Sequence, residues 1–306
     1  MITLRFGEPG YPPLLAAIHQ PPPSLDVIGD PALLVRPAVA VVGARKASRE
    51  GLLVAERLAA DLAARGIVVV SGLAFGIDSA AHRGALVTGR TVAVLASGVD
   101  VPSPRMNAPL YRRIARDGAL VSEFPRGTPA LKHHFLQRNR LISGLALGTV
   151  VVEAGARSGA LITARHAREQ DREVLAVPGS PLRETSAGAN ALLKDGAALV
   201  RGWEDVVREL GVHLDEAFRA ADRSAPAAPA SRPAAAGTIA PDGAVARRIL
   251  ATLGTRPVHV DDLQATCGLE VGPFLAHLSE LEIVGAVRQL PGKYFVLPPT
   301  PLGARR

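Results

Sequence analysis

Between residues 132 and 163 lie side chains whose types and spacing suit a ligand bearing both phosphates and bases. Lys132, Phe135, Arg138 and Asn139 fall within two helical turns, and positions 135, 138, 139 and 142 share one helical face. Cations neutralise phosphates while a ring stacks on a base, each stacked base contributing about 1–3 kcal/mol. The same pattern also fits an ordinary helix with Phe135 and Ile142 in the core and its charges in water. The absence of any acid between Pro125 and Val152 favours the binding reading. Ser158-Gly159 then opens a helix that reaches Thr163, and the free N–H groups of a helix start attract anions. Arg157 adds a cation; a plain N-cap is the alternative. Glu153 is the single carboxylate of this stretch, and a lone carboxylate does not make an acid/base pair.

Two earlier loops carry further candidates. Gly43-Ala44-Arg45 follows an apolar strand, and a guanidinium there could grip a phosphate with both arms, unless the glycine marks only a turn. In Ser71-Gly72-Leu73-Ala74-Phe75-Gly76-Ile77-Asp78, Gly72 and Gly76 let a backbone come close, and Asp78 is expected to cap the next helix. His82 is expected to be packed or hydrogen-bonded, since no second His or carboxylate stands at a metal-ligand spacing from it.

The elements that must position these residues read as alternating strands and helices from Ala38 onward. The strands, such as Ala38–Val42 and Ile67–Val70, are continuous apolar runs, as expected when both sheet faces are covered. The fold class is therefore α/β, a doubly wound, mostly parallel Rossmann-like sheet, with the candidate loops converging at its carboxyl edge. Residues 1–37, rich in proline, are expected to form an extended arm, and 38–218 the main domain. Residues 219–241 are an Ala/Pro/Ser linker, 242–298 a small winged-helix domain, and 299–306 a disordered tail. The second helix of that domain, Val271–Ile283, has Glu280 and Glu282 but no Lys or Arg, which points to protein contact or regulation rather than base reading.

The chain of 306 residues has a formal net charge of +7 and a pI near 10.3, which favours a polyanionic partner. Cys267 is its one cysteine, so no disulfide forms within the chain and no cysteine cluster binds metal; a reducing cytoplasm is expected. No signal-peptide pattern and no membrane-spanning apolar run occurs, so membrane insertion is not expected. No cofactor is expected.

Taken together, these segments resemble the DNA processing protein A family (DprA, also called Smf). The resemblance is carried by Val42-Gly43-Ala44-Arg45, by Ser71 to Asp78 with Ala81-His82, and by Ser122-Glu123-Phe124-Pro125. It continues through Arg138 to Leu145, Glu153-Ala154, Ser158 to Ala164, Pro178-Gly179 and Gly188 to Lys194. It implies a non-catalytic protein that binds and protects single-stranded DNA, forms a homodimer and loads a RecA-type recombinase during natural transformation. It further implies DNA contacts at Gly43, Arg45, Ser71, Gly72, Lys132, Phe135, Arg138, Asn139, Ser158, Gly159 and Thr163, with the dimer and recombinase contacts near residues 188–196. Departures are the short proline-rich segment where many members have a helical domain, Ala96 for a usual glycine, and Ser103 for a usual tyrosine. Two other functions compete. One is a nucleotide hydrolase similar to the cytokinin-activating phosphoribohydrolases, disfavoured because residues 154–159 lack their glycine pair and following Glu. The other is a winged-helix regulator of duplex DNA.

Overall fold

Short runs of Val and Ala at 38–42, 68–71, 91–94 and 119–122 are buried at every position, so each must lie inside a sheet covered on both faces. The computed structural model describes residues 1–87, 89–224, 244–253, 257–283, 286–290 and 294–297. It divides into two compact units, Met1–Ser224 and Ala225–Arg306.

In the first unit the strands are β1 (Ile2–Arg5), β2 (Ser24–Gly29), β3 (Ala38–Val42), β4 (Val68–Ser71), β5 (Thr91–Val94), β6 (Ala119–Ser122), β7 (Gly148–Val151), β8 (Glu173–Ala176) and β9 (Ala198–Leu199). The helices are α1 (Pro13–Ala16), α2 (Arg49–Ala64), α3 (Ile77–Ala85), α4 (Ala108–Asp117), α5 (Lys132–Gly144), α6 (Ala160–Glu169), α7 (Ala187–Lys194) and α8 (Trp203–Ser224). One sheet holds all these strands in the order β1-β2-β6-β5-β4-β3-β7-β8-β9. From β6 to β9 neighbouring strands are parallel, and β2 and β1 add an antiparallel edge. The doubly wound, mostly parallel sheet read from the sequence is the observed fold.

The proline-rich start is not an extended arm. Its prolines stand at 9, 12–13, 21–23, 31 and 37, which leaves Ile2–Arg5 and Ser24–Gly29 free to pair. In β2 the buried Leu25 and Val27 alternate with half-buried Asp26, the period of a strand with one covered face. Between the two strands, α1 and the turn after it set Leu15 and Ile18 against α5, so closely that a Cβ at Gly144 would lie 2.9 Å from Leu15 Cδ1. Residues 1–37 thus brace α5, the helix that carries Phe135. At the other end of this unit α8 runs on to Ser224, past the expected boundary at 218 and into the segment read as linker; most of that segment, and the expected tail, lie outside the described residues.

The second unit has α9 (Ala244–Thr252), β10 (Val258–His259), α10 (Val260–Cys267), α11 (Val271–Ile283), β11 (Arg288–Leu290) and β12 (Tyr294–Val296). Its strands form an antiparallel sheet in the order β10-β12-β11. Gly268, with φ +58, ends α10 in the left-handed conformation. Phe274, Ile249, Leu263 and Cys267 are fully buried in this unit's own core. Cys267 is therefore a small apolar packing residue here.

Candidate nucleic-acid interface

The loops that follow β3, β4 and β7, together with the first turns of α5, enclose a groove of about 780 Å³ at the carboxyl edge of the sheet. In the sheet β3 stands between β4 and β7, and the chain leaves it in opposite directions on its two sides. Crevices of this kind are where open α/β sheets bind ligands.

The first turn of α5 sets the groove's main feature. The backbone is extended at Leu131, whose N–H meets His134 Nδ1 at 3.4 Å, and His134 stacks on Phe124 with ring centroids 4.2 Å apart. With His134 held inward, the next residue, Phe135, turns toward the groove. It is half-buried and lines the cavity. The Arg45 guanidinium carbon lies 4.8 Å from its ring centroid and that of Arg138 lies 5.9 Å away. Arg45, Lys46, Lys132 and Arg157 line the same cavity and are exposed. A ring among solvent-facing cations can offer one face to a base while the cations meet phosphates.

Arg138 behaves differently. It is only 3% exposed, and its guanidinium donates to the Gly72 carbonyl at 2.7 Å and to the Val94 carbonyl. It therefore ties together the chain where β4 and β5 end. A Cβ at Gly72 would run into this guanidinium, so glycine is required there to admit it. Asp78, also buried, accepts from Gly72 N–H at 3.2 Å. Burial pushes the Asp78 carboxyl up and the Arg138 guanidinium down to about 10, and each charge partly offsets the other's desolvation. Asp78 is not the helix cap expected from the sequence. Gly76, with φ +77, takes the cap position, and Asp78 sits in the first turn reaching back to Gly72. His82 is packed as expected: its Nε2 accepts from Leu73 N–H at 3.3 Å and its Nδ1 lies 2.7 Å from Thr91 Oγ1. Thr91 donates its own proton to the Val69 carbonyl, so the imidazole is the neutral Nδ1–H tautomer. Burial, then Arg138, lower its pKa to about 3.

The remaining candidates divide between the groove and its supports. Ser71 does not face the groove; its buried hydroxyl donates to the Val41 carbonyl at 2.7 Å. Gly43 and Thr163 line the cavity, Thr163 only 2% exposed. Asn139 also lines it but donates to the Gly159 carbonyl at 3.3 Å, anchoring the loop before α6. Ser158 Oγ accepts from Ala160 N–H at 3.3 Å, which is local capping, while a Cβ at Gly159 would meet nothing within 4 Å. Glu153 is committed elsewhere: it accepts from Ser48 N–H at 3.0 Å and from Ser48 Oγ at 2.7 Å. Lys46 is the exposed groove cation that the motifs did not single out; its signal was its place beside Arg45 in the same strand-to-helix loop.

Among the described residues no cluster of three or more His, Cys, Asp or Glu side chains is arranged to hold a metal ion. No helix among them is long and apolar enough to cross a membrane.

Comparison with known proteins agrees with this architecture. The family model for DNA recombination-mediator protein A matches residues 2–211, and that for the DprA winged helix domain matches residues 225–293. A putative DNA processing protein DprA of Mycobacterium tuberculosis is 42% identical over 262 residues, which cover 85% of this chain and 64% of that protein. The chain thus spans less than two thirds of that relative's length. Protein Smf of Escherichia coli is 38% identical over 293 residues, covering 93% of this chain and 74% of its own. The solved structure of DprA from Streptococcus pneumoniae superposes with a TM-score of 0.65 at 42% identity, covering 68% of this chain and 74% of that one. That of Helicobacter pylori DprA, described for its single-stranded DNA binding mode, gives 0.62 at 29% identity and covers 66% and 93%. With residues 2–211 and 225–293 both matched and 38% identity over 293 residues, the chain belongs to the DNA recombination-mediator protein A (DprA/Smf) family.

Proposed function

We propose that this chain is a non-catalytic single-stranded DNA-binding protein that protects a strand in the groove described above and hands it to a RecA-type recombinase, acting as a homodimer in natural transformation. The observation that carries the reading is Phe135, half-buried at the groove wall with Arg45 against its ring and Lys46, Lys132 and Arg157 exposed around it. A rod-like duplex buries its bases, whereas a single strand can offer one to the ring. In this reading Arg45, Lys46, Lys132, Phe135 and Arg157 touch the strand. Gly43, Gly159 and Thr163 leave room for it, and Ser71, Gly72, Arg138, Asn139 and Ser158 hold the loops in place. The relatives' names support the recombination role. The engagement of Glu153 with Ser48 supports binding over hydrolysis, because that carboxylate already holds the residue that caps α2.

The test is fluorescence anisotropy of a labelled oligo-dT and of a matched duplex across a salt series. Single strands are expected to bind tighter. Phe135→Ala should weaken them roughly 5- to 150-fold, the equivalent of about 1–3 kcal/mol. Lys132→Ala should flatten the logarithmic salt slope by about 0.7. Equal duplex binding with an indifferent Phe135→Ala would sink the reading. So would release of free base from nucleoside monophosphates that Glu153→Gln abolishes.

A further inference from the structure

The second unit carries a face that is no part of the groove described above. On α11 the side formed by Phe274, Leu278 and Leu281 is packed into the core, at most 1% exposed. On the adjoining side Val271 and Leu275 are 59% and 45% exposed. Positions 271, 275, 278 and 282 follow one another along a single helical face. With the start of α10 and Phe295 of β12 that face lines a groove of about 320 Å³, whose acids are Asp261 and Glu282, both exposed.

The charge of this region is opposite to that of the chain. Residues 260–283 include Asp261, Asp262, Glu270, Glu280 and Glu282 and no Lys or Arg, on a chain with a net charge of +7. In a helix-turn-helix the second helix would enter the major groove, where it needs cations for phosphates and donors for bases. Here that helix offers two exposed aliphatic side chains, Val271 and Leu275, and two carboxylates, Glu280 and Glu282, which phosphates repel. Apolar anchors at helical spacing beside acids match a different ligand, an amphipathic helix with aliphatic or aromatic residues on one side and Lys or Arg flanking them. We propose that this groove docks a cationic amphipathic helical segment of a partner protein, its apolar residues against Val271 and Leu275 and its cations facing Asp261 and Glu282.

The experiment is selection of peptides from a random display library on the full chain, followed by titration of synthetic copies against wild type, Leu275→Asp and Glu282→Lys. Both positions are exposed, and an unchanged far-UV circular dichroism spectrum and an unchanged thermal melt will verify that each variant is folded. Enriched peptides should carry Lys or Arg interleaved with Leu, Phe or Met at helical spacing, and both substitutions should weaken them at least tenfold. A cationic consensus is informative because the chain as a whole repels cations. No enrichment, an acidic consensus, or peptides indifferent to both substitutions would overturn the proposal. It also falls if Leu275→Asp dissociates a dimer of the wild type or releases a bound duplex, since the face would then belong to that occupant.

Discussion

Lys132 and Arg138 look alike in the sequence, as two cations on one short basic segment, yet they do different work. Lys132 is exposed at the rim, whereas Arg138 is buried against the ends of β4 and β5 with Asp78 near it. Arg138→Ala should therefore destabilise the protein by about 3–5 kcal/mol, since it leaves a buried carboxyl without its compensating cation. Lys132→Ala should change unfolding by less than about 0.5 kcal/mol, and urea denaturation of the two variants separates the roles. Spacing along a helix says which side chains share a face but not which cation meets open carbonyls beneath it, so this distinction was not legible before the fold. Phe135 was legible, because a ring among cations stands out in a chain that is 4% aromatic. His82 gives a pH signature at the same scale. Its pKa lies near 3 when folded against 6.5 ordinarily, so between these values the unfolded chain binds a proton that the folded chain excludes. Its share of stability is complete above about pH 6.5 and is lost on acidification toward 3, at about 1.4 kcal/mol per pH unit. Asp78, raised by burial, works in the opposite sense, so the difference in slope between wild type and His82→Gln isolates the imidazole.

At the scale of elements, the groove depends on loops that hold one another. Gly76, at φ +77, passes so close to the preceding loop that a Cβ would run into the Ala44 carbonyl oxygen and lie 2.6 Å from that of Arg45. Gly76→Ala should therefore push Arg45 off the Phe135 ring. It should weaken oligo-dT binding severalfold while costing about 1–3 kcal/mol of stability from backbone strain alone. Anisotropy and thermal melting of one preparation measure both. The parallel strands were readable as apolar runs, because burial on both faces leaves no alternation to confuse. β2 was not read, although Leu25-Asp26-Val27 carries the period-2 pattern, because the surrounding prolines suggested an arm. Proline excludes a residue from a sheet interior but does not forbid strands between its clusters.

At the scale of the whole molecule, the first 37 residues and the groove are one structure. β2 covers the edge of β6, α1 supports α5, and Arg140 of α5 reaches back to the Gln20 carbonyl at 2.9 Å while pairing with Glu123 after β6. Deleting residues 1–37 should leave a poorly soluble chain that melts without a cooperative transition and binds oligo-dT no more tightly than duplex, as calorimetry and anisotropy would register. The order of the strands has a further consequence during synthesis. Val27 pairs with Val121, and Val42 with Val151, so each waits on the ribosome while its partner is still untranslated. An early strand without its neighbour is prone to join the wrong chain, and the prolines on either side of β2 limit how far such mispairing can spread. Because the groove takes its walls from loops after β3, β4 and β7, a nascent chain cannot complete it until residues as far as Thr163 have emerged.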